Sequence, residues 1–390
     1  MSAPPDRAPA GTPLYVHLPF CAAKCHYCDF YSIASEGQDI DGTVDAVLVE
    51  AERRAPREPR TVFFGGGTPS LLSIEQLRRL LDGLERITGF RGSSVETTLE
   101  SNPESVDRDK AEALRELGVG RLSIGFQSLE PATLELFGRV HGVEDSFRAF
   151  EAARAGGFDE INVDLIYAAP GHDEARWAVD LPRVLALGPA HVSAYALAFE
   201  EETLFSKWLA EGTLEKQPEE RELALFHQTR RILGEHGFEA YEVSNFARAG
   251  HRARHNGHVW RGGHYMGLGP SAHGFRPDGT RTKGRSGVEA WLTEPVGPLE
   301  HPSPEEAAVD LILSTLRHVD GVPVYRLSAR TGFTIDRAPL RPHLARGLLV
   351  DDTAHGTLRL GPPGWPVADG LVRTLVDALI PATEAASRQA

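Results

Sequence analysis

Residues 14–28 read Leu-Tyr-Val-His-Leu-Pro-Phe-Cys-Ala-Ala-Lys-Cys-His-Tyr-Cys. The first five have the length and apolar, partly β-branched content of a buried strand. A loop carrying Cys21, Cys25 and Cys28 follows directly, spaced C-x3-C-x2-C, and the 390-residue chain has only these 3 cysteines. An odd, clustered set is not a disulfide framework of a secreted domain; it reads as metal ligation in a reducing compartment. Three thiolates wrapped on one face of a [4Fe–4S] cube leave one iron open, as a reactive metal centre requires. The same eight residues also suit a structural zinc completed by His17 or His26, or buried free thiols.

Outward from this loop, strand and helix alternate. The expected strands are 14–18, 61–64, 95–100, 121–124, 161–167 and 191–198. Ser73 opens a helix with Gln76 placed as its capping-box partner, and Asp107 and Gly118 bracket another. Residues 131–137 and 145–155 read as helices, and 173–187 as one interrupted or bent at Pro182. Such alternation predicts a parallel α/β sheet with right-handed crossovers. Six units are too few for an eight-strand barrel, so the fold class is α/β, a partial (β/α)6 barrel open on one side. From about Glu200 the pattern changes, and helices dominate over 219–236. A Gly/His/aromatic stretch, 241–275, and a charged Gly-rich connection follow. The tail, ending in the strand–turn–strand GLLVDDTAHGTLRLGPPGW and a last helix over 370–379, predicts a smaller winged-helix-like α+β domain. The expected division is a disordered Pro/Ala-rich lead over 1–12, the barrel over 13–240, a connecting region over 241–300 and the small domain over 301–390.

The net charge of −14 is a poor match to a phosphate backbone and argues against nucleic acid as partner. No window is apolar enough to span a bilayer, and the N-terminus lacks the hydrophobic stretch of a signal peptide, so the cytoplasm is the expected compartment.

In parallel α/β barrels the chemistry sits at the C-terminal ends of the strands. There the second strand ends in Gly65-Gly66-Gly67-Thr68-Pro69, where backbone can approach a ligand closely. The third ends at Glu100, a candidate acceptor for ligand hydroxyls. The fourth ends in Gly125-Phe126-Gln127, and Arg139 on the next connection suits a ligand carboxylate. The fifth carries Asp164. Each alone is more often a structural hydrogen bond or solvated charge; their recurrence at one end of successive strands is what marks a site.

With an aromatic residue, Tyr27, before its third cysteine, the loop resembles the signature of the radical SAM superfamily. That resemblance implies a partial barrel in which the amino and carboxylate groups of S-adenosylmethionine (SAM) chelate the open iron. One electron from the reduced cluster then cleaves the sulfonium to a 5′-deoxyadenosyl radical. YVHLPFC, GGGTPS, LESNP, GFQS, DLIYAAPG and the later GLGPSAHG further resemble the oxygen-independent coproporphyrinogen oxidase group, over nearly the whole chain. The resemblance implies SAM contacts at Tyr15, Gly66, Gly67, Thr68, Glu100, Gln127, Arg139 and Asp164, with Tyr27 against the adenine. A second SAM is left open.

The group has two branches, porphyrinogen dehydrogenases and haem chaperones. The dehydrogenases usually carry a further cysteine two residues past the third, where this chain has Phe30, and an N-terminal extension before the cluster loop. The chaperones carry H-N-x-x-Y-W, and this chain has His255-Asn256-Gly257-His258-Val259-Trp260, with valine in place of the tyrosine. The expectation is therefore a haem chaperone, with dehydrogenation of coproporphyrinogen III as the alternative and a zinc-bound interaction module as the third reading. On this reading haem lies near the cluster with His255 as axial ligand, beside Asn256 and Trp260. His251, His258 and His264 are other candidate ligands, Arg252, Arg254 and Arg261 nearby cations, and Tyr265 a neighbouring ring. The implied partners are haem, a haem-acceptor protein for which a membrane-bound haem protein is one candidate, and an electron donor if SAM is cleaved.

Overall fold

The computed structural model describes residues 7–389. Six parallel strands form its centre: β1 (Leu14–Leu18), β2 (Thr61–Gly66), β3 (Glu96–Ser101), β4 (Arg121–Gln127), β5 (Glu160–Tyr167) and β6 (His191–Ala196). They lie side by side in chain order. The crossovers are α1 (Ile40–Arg54), α2 (Ile74–Thr88), α3 (Arg108–Glu116), α4 (Val143–Ala155) and α5 (Glu174–Leu185). α1 has no counterpart among the sequence expectations. Ser73 and Gln76 form the expected capping box on α2, with Gly89 left-handed at its end. α5 runs through Pro182 and ends three residues later, because a proline in the last turn forfeits one backbone hydrogen bond and no more.

The sheet extends past residue 240. β7 (Glu239–Ala240) and β8 (Asn245–Ala247) add antiparallel beyond β6, and β9 (Met266–Leu268) pairs parallel with β1 on the opposite edge. Residues 241–300 thus supply barrel strands and are not a connector alone. The expected disordered lead is also corrected in part: residues 1–6 lie outside the described residues, but the Ala8 and Gly11 amides donate to Arg54 O and Arg57 O.

The barrel core packs Leu14, Val16, Val62, Phe64, Leu99, Leu122, Ile124 and Val163 beneath the helices. A second core belongs to the C-terminal domain. There α8 (Pro304–Leu316) precedes β10 (Val322–Pro323), helices over 324–331 and 341–345, and the hairpin β11 (Leu349–Asp352) and β12 (Thr357–Leu360); earlier in the chain, α6 (Glu219–Glu235) packs into the barrel core and α7 (Arg254–Trp260) follows β8. The strand order β10-β12-β11 is that of a winged helix, as the sequence predicts. Among the described residues no helix is long and apolar enough to cross a membrane.

Candidate functional site

The cysteine loop leaves the C-terminal end of β1 and is stapled to its surroundings by backbone. The His26 amide donates to Phe137 O, and the Phe205 amide donates to His26 O, both within about 3.1 Å. Tyr27 packs its ring on Phe137 (5.0 Å) and Phe205 (6.2 Å), in a small aromatic cluster above the barrel mouth. All three thiols are half-exposed. Burial pushes the Cys21 thiol up and Cys28 up to about 11, so both are neutral in the metal-free loop and must release protons to bind iron.

Two donors face the sulfurs. Thr68 Oγ1 lies 3.6 Å from Cys21 Sγ, and Arg139 Nη1 lies 3.3 Å from Cys25 Sγ. The other Arg139 nitrogen donates to Asn102 Oδ1 (2.6 Å) and Gly125 O (3.0 Å), and Asn102 Nδ2 donates to Thr68 Oγ1 (2.8 Å). Asn102 thus joins β2, β3 and β4 under the loop. It lies in the LESNP stretch, and its place directly after a strand end was the available signal. Burial opposes the charge of Arg139, while the Tyr27 phenol and the Cys25 thiol beside it raise its pKa, so it remains a cation.

The glycine run is a close-approach cradle. A Cβ on Gly67 would sit 2.6 Å from Phe20 O, and one on Gly66, at φ +106°, would sit 2.5 Å from the His17 ring. Gly66 N donates to Glu100 Oε2 at 3.1 Å. Burial, then the Asp164 charge, raise Glu100 to about 8. Asp164 accepts from Ser123 Oγ and Asn162 Nδ2, both at 2.8 Å, and burial raises its pKa as well. Gln127 ends β4 at a bulge, where Gly125 pairs Asp164 and Gln127 pairs Leu165; its φ is +62°, and its Nε2 lies beside Gly125, as does Asn102 Oδ1. Cys21, Cys25, Cys28, Tyr27, Gly66, Gly67, Thr68, Glu100, Gln127, Arg139 and Asp164 are thereby gathered at one end of the barrel. Tyr15 lies lower on β1. Since His17 Nε2 faces the Tyr31 carbonyl (2.9 Å), its Nδ1 is the acceptor of the Tyr15 O–H at 2.9 Å.

This geometry fits a cluster better than a single zinc ion. Both nitrogens of His17 are engaged, so it offers no free nitrogen to zinc. Among the described residues no group of three His, Cys, Asp or Glu side chains is disposed to hold one metal ion. A cubane instead takes each sulfur at a separate iron corner.

The His255 segment lies elsewhere. His255 Nδ1 bonds Thr61 Oγ1 (2.9 Å), its ring packs on Phe63 (5.2 Å), and its residue is 4% exposed. The Arg254 and His255 amides donate to the Glu96 carboxylate, and His251 Nδ1 bonds Glu160 at 2.6 Å. Thr61, Glu96 and Glu160 are the first residues of β2, β3 and β5. α7 therefore caps the N-terminal rim of the barrel, one strand length, roughly 20 Å, from the cysteines. Haem on His255 beside the cluster is excluded by this placement: the motif is a plug in the barrel floor. Asn256 and Trp260 are half-buried in that plug, Trp260 against Tyr241 (5.9 Å). His258 bonds His264 O (2.9 Å), His264 packs on Phe275 (5.3 Å), and Arg252 and Arg261 pair with Glu239 and Asp320.

The radical SAM superfamily model matches residues 15–180. The chain is 34% identical to the haem chaperone HemW of Bacillus subtilis (strain 168), over 83% of this chain and 87% of that one. Against HemW of Escherichia coli (strain K12) the identity is 32%, covering 89% and 95%. The coproporphyrinogen III oxidase HemN of Escherichia coli superposes with a TM-score of 0.78 at 21% identity, covering 95% of this chain and 90% of that one, a likeness of fold.

Proposed function

The chain belongs to the HemW haem chaperone family, with a radical SAM domain at its N-terminal side, and from that premise we propose that it binds haem and passes it to acceptor proteins. The observation that carries this reading is identity above 30% to haem chaperones over most of both chains. Phe30 adds to it: where the dehydrogenase branch usually has a cysteine, this residue is 65% exposed on the cluster loop.

A radical SAM protein holds a [4Fe–4S] cluster with SAM on its open iron, and here Cys21, Cys25 and Cys28 would hold the cluster. The reduced cluster supplies one electron for cleavage of the SAM sulfonium. The chain's own groups do the rest. Arg139 is positioned to pair with the SAM carboxylate while hydrogen-bonding Cys25, and the glycine cradle offers backbone to the amino group. Glu100 keeps its proton at neutral pH and can both donate to and accept from ribose hydroxyls, with Gln127, Asp164 and Tyr15 completing the polar wall. The Tyr27 ring and its aromatic neighbours shield the adenine side from water. Haem acceptor and electron donor are partners met in the cytoplasm on this reading, a membrane-bound haem protein being one candidate acceptor.

The test is anaerobic reconstitution followed by haem titration on the Soret band, with coproporphyrinogen III consumption assayed on the same sample with SAM and reductant. Saturable haem binding without turnover is the expected result. Turnover without saturable haem binding would reassign the chain to the dehydrogenase branch.

A further inference from the structure

We infer that haem is held in the slot between the β-ribbon 273–283 and helix α8, with His273 and His301 as its imidazole donors. This rests on the haem-chaperone reading and goes beyond it by assigning a place and ligands.

The slot has a volume of about 720 Å³, within the range of ~300–1,000 Å³ typical of sites for compact organic ligands. One wall is a sheet face. Tyr265 bridges to Phe275, and His273 and Phe275 pair with Lys283 and Arg281 across the ribbon, so residues 273 and 275 project to the same side. The opposite wall is one face of α8, where Ala307, Leu311 and Ser314 recur at helical spacing. Two largely apolar walls facing one another suit a flat, apolar ring.

The polar groups lie where such a ring would need them. Arg330 stands 5.3 Å over the Phe275 ring and lines the slot without an acidic partner among the described residues, a cation for a propionate carboxylate, whereas Arg281 and Arg317 in the same lining are paired with Asp310 and Glu242. His301 Nδ1 is 3.2 Å from Thr280 Oγ1, which orients the ring and leaves Nε2 for a metal. Both histidines line the slot, whereas His255 does not.

The H-N-x-x-Y-W segment gains a physical role here. Its ends, His255 and Trp260, anchor α7 to the barrel floor, and position 259 between them lines the slot. The segment sets one side of the haem site and supplies no ligand from its first residue.

The experiment uses the full chain with its cluster reconstituted and ferric haemin as the probe. Wild type is compared with the double variant His273→Ala/His301→Ala, with Ser314→Trp, which fills the slot, and with His255→Ala, folding being checked by circular dichroism. At least a tenfold loss of affinity in the double variant, with a shifted Soret band, and a comparable loss in Ser314→Trp are expected, while folded His255→Ala keeps the wild-type Soret position. Wild-type affinity in both the double variant and Ser314→Trp overturns the slot assignment. A folded His255→Ala that alone loses haem also overturns it. Absence of saturable binding by wild type overturns the haem-chaperone reading itself.

Discussion

Burial holds the His255 imidazole at about pKa 3, against about 6.5 in an unfolded chain. The native ring is neutral while the unfolded one takes a proton, so this residue's contribution to stability is intact above pH ~6.5 and is lost as pH falls from there toward 3. Replacing His255 with alanine should cost about 2–4 kcal/mol, as for other large-to-small changes in a packed interior, and should flatten the acid limb of a Tm-against-pH curve. A variant with unchanged Tm and unchanged acid sensitivity would contradict the floor-plug role. Glu100 runs the other way. Its folded pKa of about 8 exceeds the unfolded value, so the stability its protonated form provides is present below pH ~4.5 and lost as pH rises through 8. Glu100→Gln should raise Tm at pH 8–9 relative to wild type yet weaken SAM binding, measured by calorimetry. Val259 carries a third expectation: Val259→Tyr places a phenol on the slot and should tighten haem binding severalfold in a Soret titration. Legibility differed sharply among these residues. The cysteines and Glu100 were readable because loop spacing and strand ends are local features. The burial of His255 was not, since its partner Thr61 lies 194 positions away.

At the scale of elements, two short segments decide where the site can form. The glycine run at the end of β2 passes so close to Phe20 O that Gly67→Ala must displace backbone at the root of the cluster loop. The folded protein is expected to lose cluster incorporation, read as the visible absorbance after reconstitution, while its far-ultraviolet circular dichroism stays near wild type. On the opposite rim, Glu96 acts as the N-terminal cap of α7 by accepting from two of its first amides. Glu96→Ala should cost about 1–2 kcal/mol and raise hydrogen exchange at 254–260 before the barrel strands. The strand–helix alternation and the α2 capping box were legible because their periodicity and cap residues are written consecutively. β9 was not, since three residues, Met266–Leu268, become a strand only by finding the edge of β1.

Across the whole molecule, Arg230 on α6 ties the two cores together. Its guanidinium lies 4.6 Å from the Trp365 ring, 5.3 Å from Phe226 and 5.6 Å from Phe246, and donates to Val243 O. Trp365 and Val243 pack against both hydrophobic cores. Arg230→Ala should therefore split calorimetric unfolding into two transitions, with the smaller domain melting first; a single cooperative transition would show the domains coupled through other contacts. The sequence by itself determined the cysteine loop, the six-strand parallel barrel, the polar marks at its strand ends and the winged-helix tail, because each is encoded in residues that are near neighbours along the chain. Only the tertiary structure decided that the His255 segment closes the floor opposite the cluster, that Asn102 bridges Thr68 and Arg139, and that His273 and His301 share a slot. Those relations depend on which distant strands and helices pack together, and packing is set by burial and long-range hydrogen bonds that no local pattern records.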